Sequence, residues 1–522
     1  MSRRPFRGLR REAPRPRYDA VVVGAGIGGL VTANLLVREG LSVLLVEQHY
    51  MVGGYCSTFR RAGYTFDAAT HFYPLLGNAE TITGRLLGEL GVETGWVKMD
   101  PVDTFHFPDG SRFEVPADYD DYRERLDEMF PAERDNLERF FSEVQEAYML
   151  GLLAYFRGRD TTRLDRFRDL SVRDALDRHF TDEKLKLLLT ADCPHWGSAP
   201  RDTSFVFDSM LRLSYFLGNY YPVGGSQAFA DDLARCFEEA GGDVLMSTRV
   251  RRIRVEAGRV AGVDMETLRG PAKGAKSVAA ETVVSNADLR LTVDELVGEE
   301  HLGADYAAAV RRLRPSFPCF LSHVGLEGVE EADLERAQGY YWRHWDPDRV
   351  GRDGLICKIF SPTIYEPAMA PEGRQIVILQ KVLEMDYEAV DDWAAHKAAI
   401  ERQASEQLER AIPGVAERIV VQTSASALTS HRFTLNLHGA MLGWEMSTDQ
   451  LGEERPGVET PVEGLWLVGH WTRPGGGITP VIVSACWVAE AITGRRLLRS
   501  GGATTALGRR ARRSVAVEGA GR

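Results

Sequence analysis

Residues 18–47 read YDAVVVGAGIGGLVTANLLVREGLSVLLVE, and the order of the pieces decides the fold. YDAVVVG is a short apolar strand. GAGIGGLVTANLLVREG then opens a helix that stops at Gly40, and LSVLLVE (Leu41–Glu47) is a second strand. Strand, glycine turn, helix and a strand ending in an acid make a βαβ unit. Gly24 permits the tight turn, Gly26 lets the backbone approach a pyrophosphate, and Gly29 allows the helix to pack on the strand. The helix N-terminus offers unpaired N–H groups and a positive dipole end to phosphates. Glu47, about 20 residues on, can accept hydrogen bonds from both ribose hydroxyls. An acid at this point favours an adenosine ribose without a 2′-phosphate. The nucleotide-binding candidates here are Gly24, Gly26, Gly28, Gly29, Glu47 and Gln48.

Around this unit the chain is long enough, at 522 residues, for more than one domain. Hydrophobic content of 44% and charged content of 26% are those of a soluble globular protein. Six scattered cysteines form no C-x-x-C pair, which favours a reducing compartment. With no H-x-x-x-H or H-E-x-x-H cluster, no metal is expected. Residues 1–17 hold seven arginines against one glutamate, and residues 492–522 hold eight against one. The tails therefore carry +6 and +7, which leaves −25 of the net −12 to the body between them. An acidic body does not attract nucleic acid. Two basic tails could hold an anionic membrane surface, or could simply be solvated, disordered ends. No apolar run reaches the ~18–20 residues that a spanning helix needs. The location expected is cytoplasmic, with peripheral membrane contact through the tails.

MVGGYCSTFRRAGYTFDAATHFY (Met51–Tyr73) places a Gly-Gly pair, Gly53 and Gly54, six residues past the acid. A threonine (Thr58), a basic pair and a Gly-Tyr-x-Phe-Asp hairpin follow. This resembles the flavoprotein superfamily of amine oxidases, phytoene desaturases, carotenoid isomerases and retinol saturases. The resemblance implies FAD, with the Gly-Gly pair supporting it beyond the pyrophosphate. An arginine often follows that pair in the family; here it is Tyr55. YPVGGSQAFADDLARCFEEAGGDVLMSTRVRRI (Tyr221–Ile253), read as a turn, a helix, a Gly-Gly break and a strand ending near Val250, is similar to a further block, whose backbone at such a position meets the adenine end. ETVVSNADL (Glu281–Leu289) is similar to the strand that returns beneath the cofactor. No second G-x-G-x-x-G appears, so electrons must pass to or from an external partner: oxygen, a quinone or a small reductant.

Near the other end, GLWLVGHWTRPGGGITPVIVSACWVAEAITGRR resembles the family's closing motif. Thr479 suits an N-cap and Pro480 the first helical position. The family implies that this helix aims its N-terminus at the flavin ring. Gly469, His470, Gly477 and Ile478 join the cofactor-binding candidates. His470, Trp471 and Arg473 depart from the family's pattern. Between the ends, AYMLGLLAYF (Ala147–Phe156) and FVFDSMLRLSYFLGNYY (Phe205–Tyr221) read either as ordinary core or as the lining of a lipophilic site. Small residues and lysines in Gly270–Ala280 suggest an exposed hairpin loop.

The fold class expected is α/β, α+β overall. A Rossmann-like FAD-binding domain of glutathione-reductase type (18–100, 216–298 and 460–495) carries an inserted substrate domain of mixed sheet and helices (101–215 and 299–459). Basic tails span 1–17 and 496–522. The resemblance implies an FAD-dependent oxidoreductase acting on carbon–carbon bonds of an isoprenoid or polyene, by desaturation, saturation or isomerisation. Two alternatives stay open: a flavin amine oxidase, and a non-catalytic prenyl-binding protein of the same fold, like the Rab GDP-dissociation inhibitors. No catalytic base stands out; Asp67, His71, His470 and Arg473 are the candidates.

Overall fold

The computed structural model describes residues 15–69, 73–155, 162–269 and 273–497. Two seven-stranded sheets organise them. Five neighbouring strands of the first sheet are parallel. Leu465–Leu467, the end of Gly274–Ser285, Arg17–Val23, Val43–Val46 and Asp243–Leu245 lie side by side in that order. Residues 20–23 and 43–46 are buried throughout, as strands covered on both faces must be. One face is covered by the helices Ile27–Arg38, Ser226–Glu239 and Ile478–Thr493, all apolar toward the sheet. The other face packs against residues 289–310 together with Trp444 and Trp471.

The second sheet runs in the order 419–425, 319–327, 374–382, 355–360, 339–342, 103–106, 112–115. It is antiparallel except where 339–342 meets 103–106. Along Arg374–Val382 the side chains alternate as the pleat requires. Ile376 and Ile378 join the core beneath the helices Arg134–Tyr155 and Phe205–Tyr215, whereas Val377 and Leu379 pack on the side of helix Trp393–Ala411. Every strand of this second sheet falls within 101–215 or 299–459.

Three local expectations need correction. Residues 274–280 are not loop: they begin the strand Gly274–Ser285, because they pair antiparallel with residues 262–267. The strand expected to end near Val250 is two strands, Asp243–Leu245 and Thr248–Glu256, so Val250 lies inside the second. Thr479 is not an N-cap. Helix Ile478–Thr493 starts two residues earlier than expected, from Gly477 at φ 102°, and the Thr479 hydroxyl donates instead to the Pro74 carbonyl at 3.1 Å.

Candidate active site

A single cavity of ≈1330 Å³ opens where the carboxyl ends of the parallel strands meet the second sheet and its helices. This is the crevice where open α/β sheets hold their ligands. The two glycine-rich ends of the chain form one wall of it. Gly26 pairs with Gly53 across an isolated bridge, and the Gly53 N–H donates to the Ala25 carbonyl at 2.7 Å. Gly53 and Gly54 both have positive φ, so the turn suits glycine. Asn286, just past the strand Gly274–Ser285, sits between the first and last glycine turns. A Cβ on Gly26, Gly28 or Gly469 would stand 2.9, 2.8 or 2.6 Å from its side-chain amide. A side chain at any of these turns would have to displace the Asn286 amide.

Glu47 closes the turn from the side. Its carboxylate accepts from the backbone N–H of Ala25 and of His49, each at 2.7 Å. Burial raises its pKa, and those two N–H groups oppose the shift. Each carboxylate oxygen keeps a lone pair for a further donor, which fits a ribose diol. Gln48, Gly54, Thr58, Val250, Gly469, His470, Gly477 and Ile478 line the same cavity, with Gly24, Gly26, Gly28, Glu47 and Gly53. The first turn of helix Ile478–Thr493 borders it too, and the backbone N–H groups there have no partner within the helix.

Three sequence candidates lie elsewhere, and His71 falls outside the described residues. Gly29 packs rather than lines: a Cβ there would meet the Gly24 carbonyl at 2.1 Å. Asp67 is fully buried, and its carboxylate is taken up by the Ser226 N–H at 2.8 Å and the Tyr221 hydroxyl. That makes it a tie between the Tyr64–Asp67 strand and the start of helix Ser226–Glu239, away from the cavity lining. Arg473 turns away as well. Its N–H donates to the Pro456 carbonyl at 2.9 Å, and its guanidinium lies against Gly457.

His470 keeps its place on the cavity wall, but as a neutral ring. Burial pushes its pKa down to about 3, and the nearby Arg455 charge adds to the shift. Arg455 escaped sequence reasoning. It is completely buried and has no carboxylate partner among the described residues. Its guanidinium donates to the carbonyls of Trp444, Glu445, Gln450 and His470, at 2.7–3.3 Å. A lone arginine in a loop gives no signal of that role. Asn286 did give one: a polar residue directly after an apolar strand whose carboxyl end faces the crevice. His323 was also missed. It lines the cavity, its Nε2 donates to the Asp67 carbonyl at 2.9 Å, and burial lowers its pKa to about 4.

The opposite wall is largely apolar. Leu152 from helix Arg134–Tyr155, Phe207, Met210 and Leu211 from helix Phe205–Tyr215, and Met441 from a loop face the cavity, while Leu442 packs against Gly476 on the glycine side. Each of the two aromatic-rich stretches thus buries one face in the core and turns another to the cavity.

The model of the flavin containing amine oxidoreductase family matches residues 27–493, and the chain belongs to that family. Its cofactor is a flavin. An all-trans-zeta-carotene desaturase of Myxococcus xanthus is 28% identical over 506 residues, covering 91% of this chain and 93% of that protein. A lycopene-forming phytoene desaturase of Pseudescherichia vulneris is 27% identical, covering 89% and 97%. A chloroplastic prolycopene isomerase of an Oncidium hybrid cultivar is 26% identical, covering 91% and 84%. Among solved structures, an oxidoreductase from Methanosarcina mazei superposes with a TM-score of 0.65 at 18% identity, over 90% of this chain and 99% of that one. A putrescine oxidase bound to putrescine gives 0.65 at 15%, over 92% and 99%. At such identities the structures speak for the fold alone.

Proposed function

We propose that this protein is an FAD-dependent oxidoreductase acting on carbon–carbon bonds of a long isoprenoid polyene. The observation that carries the reading is the continuity of one cavity, with a glycine cradle on one wall and an apolar wall facing it. The relatives named as carotene and phytoene desaturases and as a prolycopene isomerase support the substrate class.

The residues fit the cofactor. Gly24, Gly26 and Gly28 would face the pyrophosphate, Glu47 the ribose, and Val250 the adenine end. Gly469, His470, Gly477 and Ile478 would hold the ring end. When bound, the flavin supplies a two-electron acceptor or donor of hydride. The chain's own work is to orient and to exclude water. Leu152, Phe207, Met210 and Leu211 hold an apolar chain through burial, at ~0.8 kcal/mol per CH₂. Fixing that chain in one register turns an encounter into an intramolecular geometry. The N-terminus of helix Ile478–Thr493 presents backbone donors and a positive dipole end where negative charge develops. His470, held neutral, adds no charge of its own.

We further propose the domain division given above, with the substrate domain at 101–215 and 299–459. Electrons would be exchanged with oxygen, a quinone or a small reductant. Among the described residues no helix is long and apolar enough to cross a membrane. Peripheral contact through the arginine-rich tails is a proposal that rests mostly on residues outside the described ones; of the first tail, Arg15 and Arg17 are already paired with Asp243 and Glu281.

The test is an anaerobic titration of the purified holoprotein. A polyene should bleach the oxidised flavin or reoxidise the reduced one, while small amines should leave its spectrum unchanged. Bleaching by an amine alone would point to an amine oxidase. A colourless protein that cannot be reconstituted with FAD would favour the prenyl-binding reading.

A further inference from the structure

A hydrogen-bonded series of five ionisable side chains leads from the cavity wall into the substrate-side core. Tyr215 and His195 line the cavity. Nδ1 of His195 lies 3.1 Å from Tyr215 Oη, and Nε2 lies 2.6 Å from Tyr340 Oη. Nζ of Lys358 donates to Tyr340 Oη at 3.2 Å and to Asp103 Oδ2 at 2.6 Å. The fold sets this order. Tyr340 pairs with Lys358 across one strand boundary and with Phe105, two residues from Asp103, across the other. His195 sits on the short turn Cys193–Trp196, and Tyr215 is the last residue of helix Phe205–Tyr215.

Lys358 and Asp103 are both buried, and pairing alone explains why they tolerate it. It does not explain the two phenols and the imidazole that extend the pair to a mostly apolar cavity. The direction of the series follows from donor counting. An ammonium has donors and no acceptor, so Tyr340 Oη accepts from Lys358, and the Tyr340 O–H must donate to Nε2. An imidazole that accepts at Nε2 carries its proton on Nδ1, which donates to Tyr215 Oη. From Lys358 outward, each bond hands its proton toward the cavity, while the bond from Lys358 to Asp103 anchors the inner end. Burial lowers the pKa of the Lys358 ammonium and raises those of the Tyr340 and Tyr215 phenols, so the inner end of the series is the more acidic one.

We propose that Tyr215 delivers a proton to a carbon of the bound polyene, and that His195, Tyr340 and the Lys358–Asp103 pair refill it. This rests on the polyene reading above and assigns it the direction of saturation. One carbon of the double bond receives hydride, drawn from flavin that an external reductant has reduced. The π pair forms a new C–H bond at the other carbon with the proton from Tyr215 Oη. The Nδ1 proton moves to Tyr215, the Tyr340 proton to Nε2, and a Lys358 proton to Tyr340. The amine left behind is reprotonated from solvent. Tyr215 and His195 touch the substrate space; Tyr340 and Lys358 are positioning residues.

Two measurements decide the matter. In single-turnover mixing of dithionite-reduced holoenzyme with a polyene, Tyr215→Phe should slow flavin reoxidation by about 100-fold or more at unchanged flavin content. Histidine-¹⁵N spectra, with His195 assigned by its loss in His195→Asn, should show a protonated Nδ1 and a bare Nε2. Tyr340→Phe preserves the ring packing and should abolish that tautomeric bias. A protonated Nε2 in the wild type, or wild-type reoxidation in Tyr215→Phe, overturns the relay. Reduced wild-type flavin that no polyene reoxidises overturns the functional reading instead, and the tautomer still decides the direction of the series.

Discussion

Glu47 is both a ligand candidate and a brace, so its substitution has two effects. Glu47→Ala would leave the buried Ala25 N–H and the half-buried His49 N–H without their acceptor. At ~1–3 kcal/mol for each such group, the apoprotein should lose about 2–6 kcal/mol of unfolding free energy as well as its flavin. Gly26→Val should lose the flavin with a smaller stability cost, because its side chain would push first against the movable Asn286 amide. Urea unfolding of both apoproteins, with flavin-to-protein absorbance ratios, separates the two effects; equal stability losses would refute the bracing role. The buried rings of His323 and His470 make a different prediction. Below about pH 6.5 the unfolded chain protonates them, whereas the folded protein keeps them neutral down to about 4 and about 3. The unfolded state then binds more protons, so each ring makes stability rise with pH across its window, by up to about 1.4 kcal/mol per unit. Buried carboxyls with raised pKa, such as Asp67 and Asp208, act in the opposite sense. The informative quantity is therefore a difference. Apoprotein His323→Gln should show a flatter rise than wild type between pH 4 and 6.5, and parallel curves would mean the ring charges in the fold.

The contact between helices Arg134–Tyr155 and Phe205–Tyr215 sets the shape of the apolar wall. At Gly151 it is close, and a Cβ there would stand 2.6 Å from Met210 Sδ and 2.8 Å from Val206 Cγ1. Gly151→Val should cost about 1–3 kcal/mol through overpacking. It should also displace Met210, which lines the cavity, and so weaken polyene binding more than flavin binding. Thermal unfolding and a polyene titration of the variant check both; a fully stable variant would mean that the helices separate easily. At this scale the sequence was informative only in part. The βαβ unit was legible because parallel strands covered on both faces are continuous apolar runs, and because a glycine turn between them has few other uses. The two aromatic-rich stretches were ambiguous because a helix facing a core and one facing a cavity share the same period. The first residue of the closing helix was misplaced: Gly477 adopts a conformation that starts the helix before Thr479 can cap it. The His195–Tyr340–Lys358 series could not be read at all, since it joins positions up to 163 residues apart through strand register.

Across the whole molecule, the two sheets contribute to one cavity in different ways. The first supplies bare backbone turns at the ends of parallel strands, and the second supports helices that offer apolar side chains. Residues 26 and 469 are brought together because the strands ending near both flank the one that ends at Ser285, just before Asn286. Such a division implies that the two functions can be damaged separately. Leu211 lines the cavity on the helical side, far in sequence from every glycine turn. Leu211→Trp would fill part of the apolar wing. If the indole displaces about four carbons of the substrate chain, the lost burial is about 3 kcal/mol, on the order of 100-fold in Kd. Flavin content and the oxidised-flavin spectrum should stay those of wild type, while the polyene concentration needed to bleach or reoxidise the flavin rises by that factor. Loss of flavin together with polyene binding would show that the two walls fold as one unit. An unchanged polyene affinity would place the substrate somewhere other than along this helix.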